Sequence, residues 1–180
     1  MLMHRCLLAA ALSALTCMGQ AQAQAQAQRP ADAPIAALVG KTAQGAQVDL
    51  AEYKGKVVLL FFWSTDCAVC LDTLPEMRRD LRGWRGKDFA IVAINQDRAM
   101  ADLNRYEQVL DLAVPPNPQM KLVWRRDPAY RDSFGDLPTR MPTSVVIDRK
   151  GMVFKSVTGR AAPEMWDDIA ELLLNCGKCQ

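Results

Sequence analysis

Histidine is nearly missing: the 180 residues contain one, His4. It stands with Arg5 ahead of an apolar stretch, Cys6 to Met18, and small residues follow at Ala21 and Ala23. That order is the pattern of a secretory signal cut after Ala23. Once residues 1–23 are removed no imidazole is left, which excludes Ser-His and Cys-His catalysis and a Cys₂His₂ metal site. The apolar stretch is shorter than the roughly 20 residues that span a bilayer. An uncleaved anchor and, through Cys17, a lipidated N-terminus are the alternatives. Charge of one sign is also lacking: the net charge is +2, so a nucleic-acid role is not expected. No internal repeat is present apart from a duplicated C-x-x-C.

Cysteine is sparse but placed. Of six, Cys6 and Cys17 leave with the signal, and Cys67, Cys70, Cys176 and Cys179 stay. Export puts them where disulfides persist. Cys67-Ala68-Val69-Cys70 follows the apolar run Val57–Trp63, where a buried strand should break into a helix. Two thiols three apart at such a break are placed to close and open a disulfide. Half of a zinc site is the rival reading of any C-x-x-C. An inert structural disulfide is disfavoured, because so small a loop gains little entropy on closure. At a helix start Cys67 meets unpaired N–H groups and the positive dipole end, which lower a thiol's pKa. Cys70, one turn in, should be more buried and suited to attack a mixed disulfide. Ala68-Val69 supplies nothing that stabilises a thiolate, which points to a reductant or moderate exchanger. Asp66 opposes the dipole; it is expected to cap the helix, with Thr65 competing, and to keep Cys67 a milder nucleophile.

The remaining pattern predicts one α/β domain. Gly40 to Leu50 reads as a hairpin turning at Gly45. Val57 to Phe62 is apolar throughout, as in a strand covered on both faces. Cys70, Leu71, Leu74, Met77, Arg78 and Leu81 share a helical face ending at Gly83, with Pro75 inside it as a kink. Phe89 to Asn95 is a strand, and Met100, Leu103, Tyr106, Glu107 and Leu110 mark a second helix. Lys121 to Trp124 reads as a strand and Pro128 to Phe134 as a short helix. Thr143 to Ile147 and Met152 to Val157 read as two strands about a turn at Asp148–Gly151. A last helix opens at Pro163 and stops at Gly177. Arg125, Arg126, Arg131 and Arg140 read as a solvated face, with Arg140 biasing the site toward acidic substrates.

In order and spacing, Gly55-Lys56, Phe62-Trp63-Ser64-Thr65-Asp66-Cys67-Ala68-Val69-Cys70, Leu74-Pro75, Asp127-Pro128, Phe134-Gly135, Met141-Pro142-Thr143 and Ile147-Asp148-Arg149-Lys150-Gly151 resemble the exported TlpA/ResA-like thiol–disulfide oxidoreductases. The resemblance implies a thioredoxin-like fold: a mixed central sheet with helices on both faces and an N-terminal hairpin extension. It covers the domain (34–175), which follows the signal (1–23) and a leader (24–33) that the Ala-Gln alternation reads as flexible, and precedes a cysteine-bearing tail (176–180). It further implies a periplasmic monomer that reduces disulfides of selected proteins, as in cytochrome c or oxidase maturation, and draws electrons from a membrane thiol donor without a cofactor. Cys67 would attack, Cys70 would resolve, and Pro142 would be a cis-proline that leaves the Met141 backbone to pair with a substrate strand; Trp63 is expected to floor that groove. Three positions depart from the family. Phe61 stands where relatives hold Asn or a buried Asp, Thr73 where some hold Glu, and Asp66 where an aromatic usually precedes the first cysteine.

Cys176-Gly177-Lys178-Cys179 is not explained by the resemblance. The last helix should run away from Cys67, about 13 residues carrying the chain roughly 20 Å, which argues against one zinc held by all four thiols. A tail disulfide, a relay pair and a Cu(I) clip remain. A copper-handling assembly module using Cys176 and Cys179 is thus the alternative function. A peroxidase is third, with Ser64 rather than Thr three residues before Cys67.

Overall fold

A computed structural model describes residues 35–135 and 140–174. In chain order they form β1 (Leu38–Lys41), β2 (Gln47–Asp49), a 3₁₀ turn (Leu50–Tyr53), β3 (Val57–Trp63), α1 (Ala68–Asp80) and β4 (Phe89–Asn95), followed by α2 (Met100–Ala113), β5 (Met120–Trp124), β6 (Arg131–Asp132), β7 (Thr143–Ile147), β8 (Val153–Thr158) and α3 (Pro163–Leu174). The strands β5-β4-β3-β7-β8 make one sheet, and β2-β1-β6 a smaller one. β3 is parallel to β4 and antiparallel to β7. Being central, it is buried at every position, which is why its sequence shows no alternation.

Successive β3 side chains nevertheless go to different layers. Val57, Leu59, Phe61 and Trp63 join Cys70, Leu74 and Met77 of α1, Leu103 and Leu110 of α2, and Met165 and Ile169 of α3. Val58, Leu60 and Phe62 meet Leu38, Val48, Leu50, Tyr130 and Phe134. Each fully buried aliphatic or aromatic side chain contributes about 1.5–3 kcal/mol, so β3 alone holds both layers. The expected cover on both faces is present in an uneven form. All three α-helices share one face, and the other carries the 3₁₀ turn and the small sheet. The cause is topological: β3-α1-β4-α2-β5 steps twice in one direction, and right-handed crossovers then put α1 and α2 on the same side.

The expected hairpin is β1–β2, with Gly45 at positive φ in its turn. The helix expected over Pro128–Phe134 is not formed. That segment carries β6, which pairs with β1. Tyr130 and Phe134 are buried, as is the side chain of Asp132, while Arg131 and Ser133 are exposed. Inward positions two apart are a strand's period, and the acid in the middle of them hides it. Pro75 does lie inside α1. With no N–H it leaves the Leu71 carbonyl without a helical donor, and the Tyr106 hydroxyl donates to that carbonyl at 3.4 Å. Arg78, on the buried helix face, pairs with Asp111 at 2.5 Å and donates to the Val114 carbonyl at 3.2 Å.

Candidate functional site: the Cys67–Cys70 turn

The site forms where β3 runs out. Ser64, Thr65 and Asp66 turn the chain, and Cys67, in extended conformation, is the N-cap of α1. The Cys67 sulfur accepts the Cys70 N–H at 3.2 Å. A helix-start N–H thus points directly at the first sulfur, the arrangement that stabilises negative charge there. The two cysteines are joined in a disulfide, their Cα atoms 5.2 Å apart. Cys67 is half-buried, Ala68 and Val69 are exposed, and Cys70 is fully buried beneath them. An accessible sulfur therefore sits over an enclosed one.

The cap expected of Asp66 is taken by the Cys67 sulfur. Asp66 is exposed and accepts a hydrogen bond from the Ser64 hydroxyl. Trp63 does not floor a groove. It has no exposed surface and lies in the helix-side core, its ring 5.0 Å from that of Tyr106. As the last β3 residue with a helix-side direction, it is covered by α1 and α2 and supports the turn from below. Phe61 is likewise fully buried, and Thr73 donates to the Val69 carbonyl at 2.7 Å, as a helix-interior threonine does. Neither offers a proton acceptor to Cys70.

Pro142 follows a cis peptide bond from Met141. β7 runs antiparallel to β3 and pairs Thr143 with Phe62, so Met141–Pro142 lies at the same pole as the cysteines. Pro142 is buried and Met141 half-buried. The Pro142 carbonyl accepts the Gly159 N–H at 2.8 Å, and the Arg140 carbonyl accepts the Thr143 hydroxyl at 2.7 Å.

A polar network at the end of β4 escaped the sequence reading. Asp97 accepts the Thr65 N–H at 2.9 Å through one carboxylate oxygen and the Asn95 amide at 2.8 Å through the other. Its own N–H donates to the Asn95 side chain at 3.1 Å, and the Trp124 indole donates to its carbonyl at 2.9 Å. Gln96 N–H donates to the Trp63 carbonyl at 2.8 Å. The loop after β4 thereby holds the turn before α1 in place. The one sequence signal was a pair of polar residues, two apart, closing an apolar strand.

Arg125 is not part of a solvated face. It is partly buried, pairs with Asp132 at 3.0 Å and donates to the Gly135 carbonyl at 2.6 Å, with its guanidinium 5.7 Å from the Phe62 ring centre. The Tyr130 hydroxyl donates to the same carboxylate at 2.7 Å. Burial, then that carboxylate, drives the tyrosine's pKa far up. Arg126, Arg131 and Arg140 are exposed as expected. Cys176 and Cys179, and with them the copper alternative, lie outside the described residues, as do the signal and leader. Among the described residues no three His, Cys, Asp or Glu side chains gather as a metal site, and no helix is long and apolar enough to cross a membrane.

The AhpC/TSA family model matches residues 31–156. The chain belongs to the AhpC/TSA family. Within that family it is similar to proteins named thiol-disulfide oxidoreductase ResA: 26% identical over 130 residues to that of Halalkalibacterium halodurans, covering 72% of this chain and 69% of the relative. To the Bacillus subtilis ResA it is 27% identical over 129 residues, covering 72% and 68%. Among solved structures, a putative thiol:disulfide interchange protein DsbE from Chlorobium tepidum is 27% identical, with TM-score 0.58, covering 80% of this chain and 94% of that one. A putative thioredoxin from Neisseria meningitidis has the same fold at TM-score 0.65 and 24% identity, covering 82% and 93%. The ResA-like resemblance and the thioredoxin-like fold read from the sequence are borne out. This AhpC/TSA-family chain is a thiol–disulfide oxidoreductase.

Proposed function

We propose that the protein is a periplasmic, monomeric disulfide reductase acting on selected proteins, of the kind that serves cytochrome c or oxidase maturation. The Cys67 thiolate attacks a substrate disulfide, joins one sulfur and expels the other as a thiolate. Cys70 then attacks the Cys67 sulfur, releases the substrate reduced and leaves the Cys67–Cys70 disulfide. A membrane thiol donor returns that disulfide to two thiols, and no cofactor takes part. Pro142 shapes the groove and the Met141 backbone pairs with the incoming strand. Asp66, bonded to Ser64 beside the turn, tempers the Cys67 thiolate and supplies a polar group for proton transfer in place of those missing at Phe61 and Thr73.

The observation that carries this reading is the Cys70 N–H aimed at the Cys67 sulfur, with the second sulfur buried under the first. Cys70→Ser removes the resolving thiol, so mixed disulfides through Cys67 should accumulate on partner proteins in extracts and disappear on reduction. Absence of such adducts, or equal yield from Cys67→Ser, sinks the proposal.

A further inference from the structure

Arg149 marks a second pole. Its guanidinium donates to the Gly55 carbonyl at 2.5 Å, pairs with Asp88 at 3.1 Å, and reaches the Leu172 and Leu173 carbonyls at 3.5 and 3.4 Å. The start of β3, the start of β4, the β7–β8 turn and the end of α3 therefore meet at one place. It is the end of the sheet away from Cys67, since β3 starts here and the redox turn follows its other end. Seven residues at about 3.3 Å each separate the two poles by roughly 20 Å.

The exposed side chains of this pole are mainly cationic: Lys54, Lys56, Arg82, Arg85, Lys87 and Lys150. Acids are present too. Asp88 is held by Arg149, Glu171 is exposed in the last turn of α3, and Asp80 and Glu52 stand at the margin. These six outnumber the exposed acids of the pole, whereas the whole chain carries a net charge of only +2. Two exposed aliphatic residues share the pole. Leu174 ends α3 and is 80% exposed; Ile35 is 75% exposed and bridges to Met152 beside the β7–β8 turn. Ala36 N–H donates to the Gly151 carbonyl at 2.8 Å. The first described residues are thus fixed to the fold at this pole.

We infer that this pole is a docking face for the surface of an anionic phospholipid bilayer, which presents the Cys67–Cys70 turn away from the membrane. Cations near such a surface each add attraction that fades within a Debye length. Exposed aliphatic side chains among cations suit the boundary between headgroups and acyl chains, whereas an acidic protein surface would give Ile35 and Leu174 no comparable environment. The inference is independent of which disulfide the enzyme reduces.

The test is co-sedimentation of the purified full chain with vesicles of phosphatidylglycerol and phosphatidylcholine in equal parts, against phosphatidylcholine alone. Binding should be tighter to the anionic vesicles and the excess should vanish in high salt. Each cation removed should weaken anionic binding about fivefold, so Lys54→Gln/Lys56→Gln/Arg85→Gln/Lys87→Gln should lose at least about a hundredfold. Arg98→Gln/Arg105→Gln/Arg140→Gln, which removes exposed cations outside this pole, should lose little. Equal binding to both vesicles, a quadruple variant that binds like the parent, or an equal loss in the control overturns the inference. So does an acidic protein captured by this face with no vesicle binding. On bound vesicles Cys67 of the reduced protein should react with a charged maleimide as fast as in solution; protection by the bilayer refutes the orientation.

Discussion

Asp97→Ala tests whether the loop after β4 holds the redox turn. Asp97 is 9% exposed and accepts from Thr65 N–H and from the Asn95 amide, itself fully buried. Hydrogen bonds to a charged group are worth about 1.5–3 kcal/mol each, so truncation should cost about 3–5 kcal/mol, up to half or more of a typical domain's stability. Asp97→Asn keeps one acceptor but turns an NH₂ toward a donor, and should lose about half as much. Asn95→Asp/Asp97→Asn exchanges the two groups and restores an acceptor for every donor. The amide then at position 97 donates to the carboxylate then at position 95, which also takes the backbone N–H of position 97. The assay is urea unfolding of the oxidised protein, read as a shift in midpoint at constant slope, with insulin reduction measured in parallel. Turnover should fall in Asp97→Ala under conditions where the protein is still folded, because the Ser64–Asp66 turn that presents Cys67 loses its tether. A loss under about 1 kcal/mol, or full turnover in Asp97→Ala, would refute the reasoning.

Two further outcomes follow from the same geometry. Asp66→Asn removes a carboxylate adjacent to Cys67 and should raise the thiolate fraction of the reduced protein at neutral pH; ultraviolet titration of the thiolate checks it, and an unchanged or lowered fraction counts against a tempering role. Burial holds the phenols of Tyr53, Tyr106 and Tyr130 protonated above the usual value of 10, Tyr106 up to about 12. In the unfolded chain they ionise first. Stability is therefore whole below pH 10 and falls as pH rises toward 12, by at most about 1.4 kcal/mol per unit per tyrosine and less for the part-exposed Tyr106. Urea midpoints across that window measure it, and a flat profile would contradict the burial argument.

What could be read from the sequence divides by the range of the forces involved. β3, β4, α1, α2 and α3 were legible because their patterns are set by one strand or one helix at a time. Cys67 and Cys70 were legible because a strand end, a spacing of three and a helix start are local facts. The cis bond before Pro142 came from resemblance, not from any pattern in the residues around it. The errors arise where a polar side chain takes a partner that no helix or strand period predicts. Asp132 was read as part of a short helix, yet it is an inward strand position paired with Arg125 and Tyr130. Arg125 looked solvated for the same reason. Asp66 was given the helix cap because carboxylates fill that role well, but a sulfur already occupied it, so the acid turned to Ser64. Asp97 was passed over because its meaning depends on Thr65, 32 residues earlier. The last of these has a structural cause. With β3 wholly apolar, its strand interior can offer no side-chain hydrogen bond to the turn that follows it, and the central strand of this sheet cannot anchor its own active site. The anchoring groups must then come from a neighbouring strand's end, and β4, parallel to β3 and ending in register with it at Asn95 opposite Trp63, is the strand positioned to supply them.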